Sequence, residues 1–240
     1  MAYEGLHTLR LGVSLGAIHD SAERFPLPNC HPDTRKAVRR IILDWIHSEC
    51  SASSFYWLYG SAGAGKTAIL QAIAEFLCSP SESDENFGGS FFFSRGKEGR
   101  DKGHFLFSTI AYQLALNVPG LRQHVNRIME LNPTLHTKSM DVQLQSLIID
   151  AFQHLSPFPQ RPYLVIIDGL DECQASYWMA ICLVYCRTWT VLSSMTVIPS
   201  FNIFVFADNI FLYWIDPMFF IFIRKFFLLI CALIFLILKF

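Results

Sequence analysis

The octapeptide Gly60-Ser61-Ala62-Gly63-Ala64-Gly65-Lys66-Thr67 fits the pattern G-x-x-x-x-G-K-[ST] of a phosphate-binding loop. On its N-terminal side, Phe55-Tyr56-Trp57-Leu58-Tyr59 is an aromatic run of the length of a buried strand. On its C-terminal side, Ala68-Ile69-Leu70-Gln71-Ala72-Ile73-Ala74-Glu75-Phe76-Leu77 consists mainly of good helix formers. A strand, a glycine loop and a helix in that order present a row of backbone N–H groups to an anion. Gly60, Ser61, Ala62, Gly63, Ala64, Gly65, Lys66, Thr67 and Ala68 are therefore the expected phosphate-binding residues. Lys66 would reach the β- and γ-phosphates of a nucleotide, and the Thr67 hydroxyl would ligate Mg²⁺.

A second run completes such a site. Tyr163-Leu164-Val165-Ile166-Ile167-Asp168 is apolar, rich in β-branched residues and ends on a carboxylate. It reads as a central parallel strand covered on both faces, with Asp168 at the ligand-binding end. A carboxylate there can hold the Mg²⁺ shell, usually through water. Asp171 and Glu172 follow Gly169-Leu170, and one of them can orient the attacking water in hydrolysis. The fold class expected from these pieces is α/β, a parallel sheet with flanking helices.

Residues 1–30 read as a mixed, partly helical segment, ending in the turn-rich Phe25-Pro26-Leu27-Pro28-Asn29. Pro32-Asp33-Thr34 opens a helix with Val38, Ile41, Ile42, Trp45 and Ile46 on one face. Arg35, Lys36, Arg39, Arg40 and Asp44 lie on the other, a pattern that reads as a solvated face. Ser79 to Gly89 reads as a surface loop, Ser90-Phe91-Phe92-Phe93-Ser94 as a second buried strand, and Arg95 to Gly103 as a charged loop. Helical patterns cover about 104–117, 119–131 and 141–155.

Composition bounds the rest. A net charge of −1 over 240 residues argues against a nucleic-acid partner. Seven cysteines without a C-x-x-C pair read as reduced thiols of a cytoplasmic protein. The character changes near residue 174: all 13 glycines lie at or before Gly169, and 17 of the last 67 residues are aromatic. The chain thus divides into an N-terminal segment (1–30), a nucleotide-binding domain (31–173) and an apolar, aromatic-rich tail (174–240), read as helical.

The stretches Cys30–Arg35, Trp57–Thr67, Ser90–Arg95 and Ile167-Asp168-Gly169-Leu170-Asp171-Glu172-Cys173 together resemble a fungal NACHT-type domain. The likeness covers about 15–173 and is to the nephrocystin-3-like N-terminal module. It implies a signal-transducing P-loop ATPase that switches between ADP-closed and ATP-open oligomeric states. By position it assigns phosphate binding to Gly60–Thr67, Mg²⁺ support to Asp168 and hydrolysis to Lys66 with Asp171 or Glu172. It also brings Cys30 to Arg35 near the adenine. The expected ligands are then ATP or ADP with Mg²⁺, and the expected partner is a second copy of the domain.

After Cys173 the resemblance ends, no apolar strand followed by Ser-Arg is visible, and the strand ending at Asp168 would lose a neighbour. The tail has three readings: translated non-coding or frame-shifted sequence in a truncated gene, which is favoured; a membrane anchor at 219–238; or a buried core helix. Its uninterrupted apolar run, Phe226 to Leu238, spans about 20 Å as a helix, against roughly 30 Å of hydrocarbon. Three functions compete: a slowly hydrolysing ATP switch, a non-hydrolysing nucleotide-binding or membrane-anchored scaffold, and a small-molecule kinase with Arg95–Lys102 as its lid.

Overall fold

The structure is a computed structural model that describes residues 3–28, 35–47, 55–58, 60–79, 87–156, 163–174 and 201–206. Its centre is a parallel sheet of four strands, β1 (Phe55–Leu58), β2 (Phe87–Phe92), β3 (Tyr163–Asp168) and β4 (Phe201–Phe206). The spatial order is β1-β4-β3-β2. β4 pairs with β1 from Phe55↔Ile203 to Leu58↔Phe206 and with β3 from Tyr163↔Phe201 to Ile167↔Val205.

That arrangement corrects the reading of the tail in two respects. Residues 201–206 are a strand, not part of a helix, and β3 keeps a neighbour on each side. The run Phe201-Asn202-Ile203-Phe204-Val205-Phe206 has the aromatic and β-branched content that favours a strand. What puts it there is the vacant lane between β1 and β3, whose backbone N–H and C=O groups need partners. Among the described residues no helix is long and apolar enough to cross a membrane. The 219–238 segment lies outside the described residues.

Two layers of helices cover the sheet. On one face, α1 (Glu4–Leu9), α4 (Leu106–Asn117), α5 (Leu121–Leu131) and a helical run pack on Phe91, Phe93, Val165 and Ile167. That run is α6 (Met140–Gln143), a π-helical stretch (Leu144–Ile149) and α7 (Asp150–Gln153). On the other face, α2 (Lys36–His47) and α3 (Lys66–Leu77) pack on Phe92, Leu164 and Ile166. Alternate residues of β3 thus feed opposite cores, and all six are buried, as a central parallel strand requires. On α2, Ile42 is fully buried and Val38, Trp45 and Ile46 pack beside it, whereas Ile41 is exposed. The face expected from the spacing is therefore narrower by one residue.

β2 begins three residues earlier than its sequence suggests and ends at Phe92. Gly88 and Gly89, which read as loop residues, lie inside it because α4 presses against the strand. A Cβ on Gly88 would stand 2.9 Å from Leu114 Cδ2, and one on Gly89 2.9 Å from Gln113 Cβ. The outer edge of β2 is closed by side chains of α4. Ser90 N donates to Gln113 Oε1 at 2.9 Å, and Gln113 Nε2 donates to Ser90 O at 2.8 Å. The Gln113 amide thus supplies the pairing that a further strand would give. Gln113→Leu removes it and leaves a buried N–H and C=O unpaired, a cost of about 2–4 kcal/mol read as a lower urea midpoint.

Residues 3–28 are integral to this body. α1 lies so close on α5 that a Cβ on Gly5 would collide with the Asn126 carbonyl. Three 3₁₀ turns (Arg10–Gly12, Leu15–Ala17 and Ala22–Arg24) then lead the chain to β2, where His19 N donates to Ser90 Oγ at 3.0 Å. The His19 ring sits edge-on to Phe87, with Nδ1 3.3 Å from Ser90 Oγ. Burial first, then Arg24, hold its pKa below the ordinary 6.5, against the opposing pull of Asp20 and Glu75.

The unfolded chain therefore binds more protons at His19 than the folded one. The resulting stability is fully present above pH 6.5 and is lost as pH falls from 6.5 toward the depressed value. Denaturation midpoints between pH 7.5 and 5.5 are expected to fall more steeply for the native chain than for His19→Gln.

Candidate functional site

β1 hands the chain to the glycine loop at the C-terminal edge of the sheet. Gly63 (φ 73°) and Gly65 (φ 77°) adopt the left-handed conformation, which L side chains rarely take. Gly65 is also the residue immediately before α3, so the turn into the helix depends on it. Ser61, Ala62 and Gly63 are exposed, while Ala64, Gly65, Thr67 and Ala68 are half-buried. Lys66 is only 6% exposed, and its Nζ donates to Gly60 O and Ser61 O, each at 2.9 Å. The ammonium thereby closes the loop on itself. Burial holds the Lys66 pKa below its ordinary value; Asp171 and Asp168 oppose the shift, and Arg35 adds to it.

Asp168 ends β3 on the α3 side of the sheet and is 3% exposed. The Thr67 hydroxyl hydrogen-bonds to its carboxylate. Oδ1 is buried and, among the described residues, lacks a hydrogen-bond partner. Burial pushes the Asp168 pKa up to about 6; the Thr67 hydrogen bond and Arg24 pull it down, while Glu172 and Asp171 push it further up. An orphaned carboxylate oxygen beside a threonine hydroxyl is a pair of hard oxygen donors, the donor set that suits Mg²⁺.

The two remaining acids differ in engagement. Both lie on a 3₁₀ turn (Leu170–Glu172) that starts after Gly169, whose φ is 67°. The negative charge of Asp171 acts on Lys66. Glu172 instead accepts from the backbone N–H of Arg95 at 2.9 Å, and Arg95 Nη2 donates to Asp171 O at 3.0 Å. Gln174 N donates to Asp101 O at 2.9 Å, so the segment after β3 is joined to the charged loop after β2.

The structure therefore brings Gly60 to Ala68, Asp168 and Asp171 to one place, and Glu172, whose charge also acts on Asp168, accepts a hydrogen bond from Arg95 N. It adds basic groups beyond the expected phosphate and metal residues. Arg35 sets its guanidinium over Gly65, with Cζ 3.0 Å from where a Cβ would stand, although its sequence context reads as a solvated helix face. Arg100 Nε donates to Phe92 O at 3.3 Å, and the charges of Glu23, Glu172 and Asp168 act on its guanidinium. Arg24 is buried beside them. Nothing local in Ser21-Ala22-Glu23-Arg24 marks it, since Gln71 and Phe92, which bury it, are far away in the chain. Of the adenine-side expectation, Cys30–Thr34 lie outside the described residues.

Comparison with known proteins gives one match to a family model, described as Nephrocystin 3, N-terminal, over residues 39–200. No curated protein and no solved structure matches the chain. The matched residues take in the glycine loop, all of β1, β2 and β3, the Asp168–Glu172 turn and residues up to the start of β4. With more than half of its length matched, the chain belongs to the nephrocystin 3 N-terminal family.

Proposed function

We propose that the chain is an ATP-binding switch module of the NACHT signalling kind, built on a P-loop NTPase sheet. The observation that carries this reading is the glycine loop, which turns at positive φ into α3 with Lys66 buried at its start, facing a sheet whose β3 ends on the buried Asp168 carboxylate with its unpartnered Oδ1. The order β1-β4-β3-β2 supports it, because one strand separates the strand before the loop from the strand ending at Asp168, and both run to the C-terminal edge of the sheet, where open α/β sheets bind ligands. Thr67 and Asp168 are the residues that would hold Mg²⁺, which when bound neutralises charge on the terminal phosphates.

Each group has a part in that reading. The N–H groups from Ser61 to Ala68 and the Lys66 ammonium bind the phosphates, and the Arg35 guanidinium over Gly65 adds positive charge on the solvent side. Asp171, whose charge reaches Lys66, is the acid on hand to orient a water. Titration calorimetry of the full chain with ATP and ADP, with and without Mg²⁺, tests the reading. Micromolar binding that Lys66→Ala weakens supports it, and equal affinity of the two chains overturns it.

A second reading is favoured by one observation: the Glu172 carboxylate is taken up by Arg95 N. In that reading the module binds nucleotide without hydrolysing it and acts as a scaffold. Phosphate release by the full chain at steady state separates the two. Turnover above background that is lost in Asp171→Asn excludes the scaffold.

A further inference from the structure

The N-terminal segment delivers a buried cation next to the site, from residues that precede the family match at 39. Arg24 is 8% exposed and lies between α3 and the end of β2. Its Nη1 donates to His19 O at 2.7 Å and to Gln71 Oε1 at 2.6 Å, and its Cζ stands 3.6 Å above the Phe92 ring. Phe92 pairs in register with Asp168. Gln71 is one helical turn beyond Thr67 on α3 and is held at three points. Besides Arg24, its Nε2 donates to His19 O at 3.1 Å and to Glu75 Oε1 at 2.8 Å.

We infer that Arg24 is a positioning residue for magnesium-nucleotide binding: by locking Gln71 it sets the rotation of α3 that aims the Thr67 hydroxyl at Asp168. The inference rests on the nucleotide-binding reading above and names how the N-terminal segment enters it. Helix rotation is the variable to which a hydroxyl on the first turn is most sensitive. About 1 Å of misplacement is enough to break a hydrogen bond to a fixed carboxylate. A guanidinium stacked on an aromatic ring and donating two bonds from one nitrogen fixes geometry in a way an ammonium does not. Phosphate contacts by the loop's backbone N–H groups do not use the Thr67 hydroxyl, so binding without metal depends far less on Arg24.

The test uses the full chain and measures the ratio of ADP affinities with and without Mg²⁺. Arg24→Met and Arg24→Lys are expected to lower that ratio about tenfold, the lower end for partners of a metal ligand. Metal-free affinity should stay within twofold. In a Thr67→Ala background the Arg24 substitutions should change nothing further, because the path through Thr67 is already cut.

An unchanged ratio in folded Arg24→Lys overturns the inference, as does an additional loss in the Thr67→Ala background. Full rescue by Arg24→Lys also overturns it, since that outcome assigns the effect to charge alone. If the native chain binds no ADP, the nucleotide reading itself falls. If it binds ADP with an Arg24-independent magnesium ratio, only this inference falls.

Discussion

Lys66→Ala is expected to weaken ATP and ADP binding to the full chain by about a hundredfold, the loss of hydrogen bonds from a charged donor worth about 3 kcal/mol. The direction follows from the charge that the side chain brings to the loop. Lys66 is 6% exposed, and its ammonium is held by Gly60 O and Ser61 O at the mouth of the loop. The charges of Asp171 and Asp168 oppose the cost of burying it.

A trivial unfolding effect is separable from a binding effect by the melting temperature without ligand. Burying an ammonium is expensive, so losing it should leave the ligand-free midpoint nearly unchanged. The ATP-induced rise in the midpoint should vanish, since that rise grows with the logarithm of ligand concentration over Kd. A Lys66→Ala chain whose midpoint rises with ATP as the native one does would end the nucleotide-binding proposal.

Ile203→Pro is expected to lower the stability of the chain by more than about 2 kcal/mol, because proline cannot donate to a ladder and is excluded from central strands. Ile203 pairs with Phe55 on one side and Val165 on the other, so β4 has no free edge on which a missing N–H could be tolerated. The substitution removes one bond from the sheet, leaves a carbonyl without its donor and sets the proline ring against a neighbouring strand. Chemical denaturation is the measurement, with Ile203→Val as the control that keeps the backbone intact. If 201–206 took no part in the sheet, the proline would be silent, and a midpoint equal to the native one would remove β4 from the fold.

These two experiments mark the boundary between what was legible and what was not. The glycine loop, its flanking strand and helix, and the strand ending at Asp168 could be read because their signals are local. Glycines at positive φ, an unbroken apolar run and a stretch of helix formers each act within ten residues. The β4 strand resisted reading because it stands in an aromatic-rich, glycine-free stretch of nearly uniform apolar character, even though Pro199-Ser200 and Asp208-Asn209 flank it. What identifies it is the lane between β1 and β3, whose residues lie far away in the chain. Gly88 and Gly89 misled for the opposite reason. Glycine usually marks a turn, but here it lets α4 approach β2.

The site divides in the same way. Residues 60–68 are named by the spacing of the glycine loop and Asp168 by the apolar run it ends, because phosphate and metal chemistry demands fixed donors at fixed places. Glu172 stands equal to Asp171 in the sequence, and its hydrogen bond from Arg95 N, 77 residues earlier, is a contact that no local pattern shows. Arg24 carried no signal at all: a 3₁₀ turn with a charged end reads as surface, and its burial depends on Gln71, 47 residues away.

By itself, then, the sequence determined a strand–loop–helix unit with an acidic strand end, since backbone conformation and periodicity are set by neighbouring residues. Only the tertiary structure decided the sheet order, the place of β4 and the insertion of Arg24 beside Asp168, since parallel pairing and burial join segments that no local pattern connects.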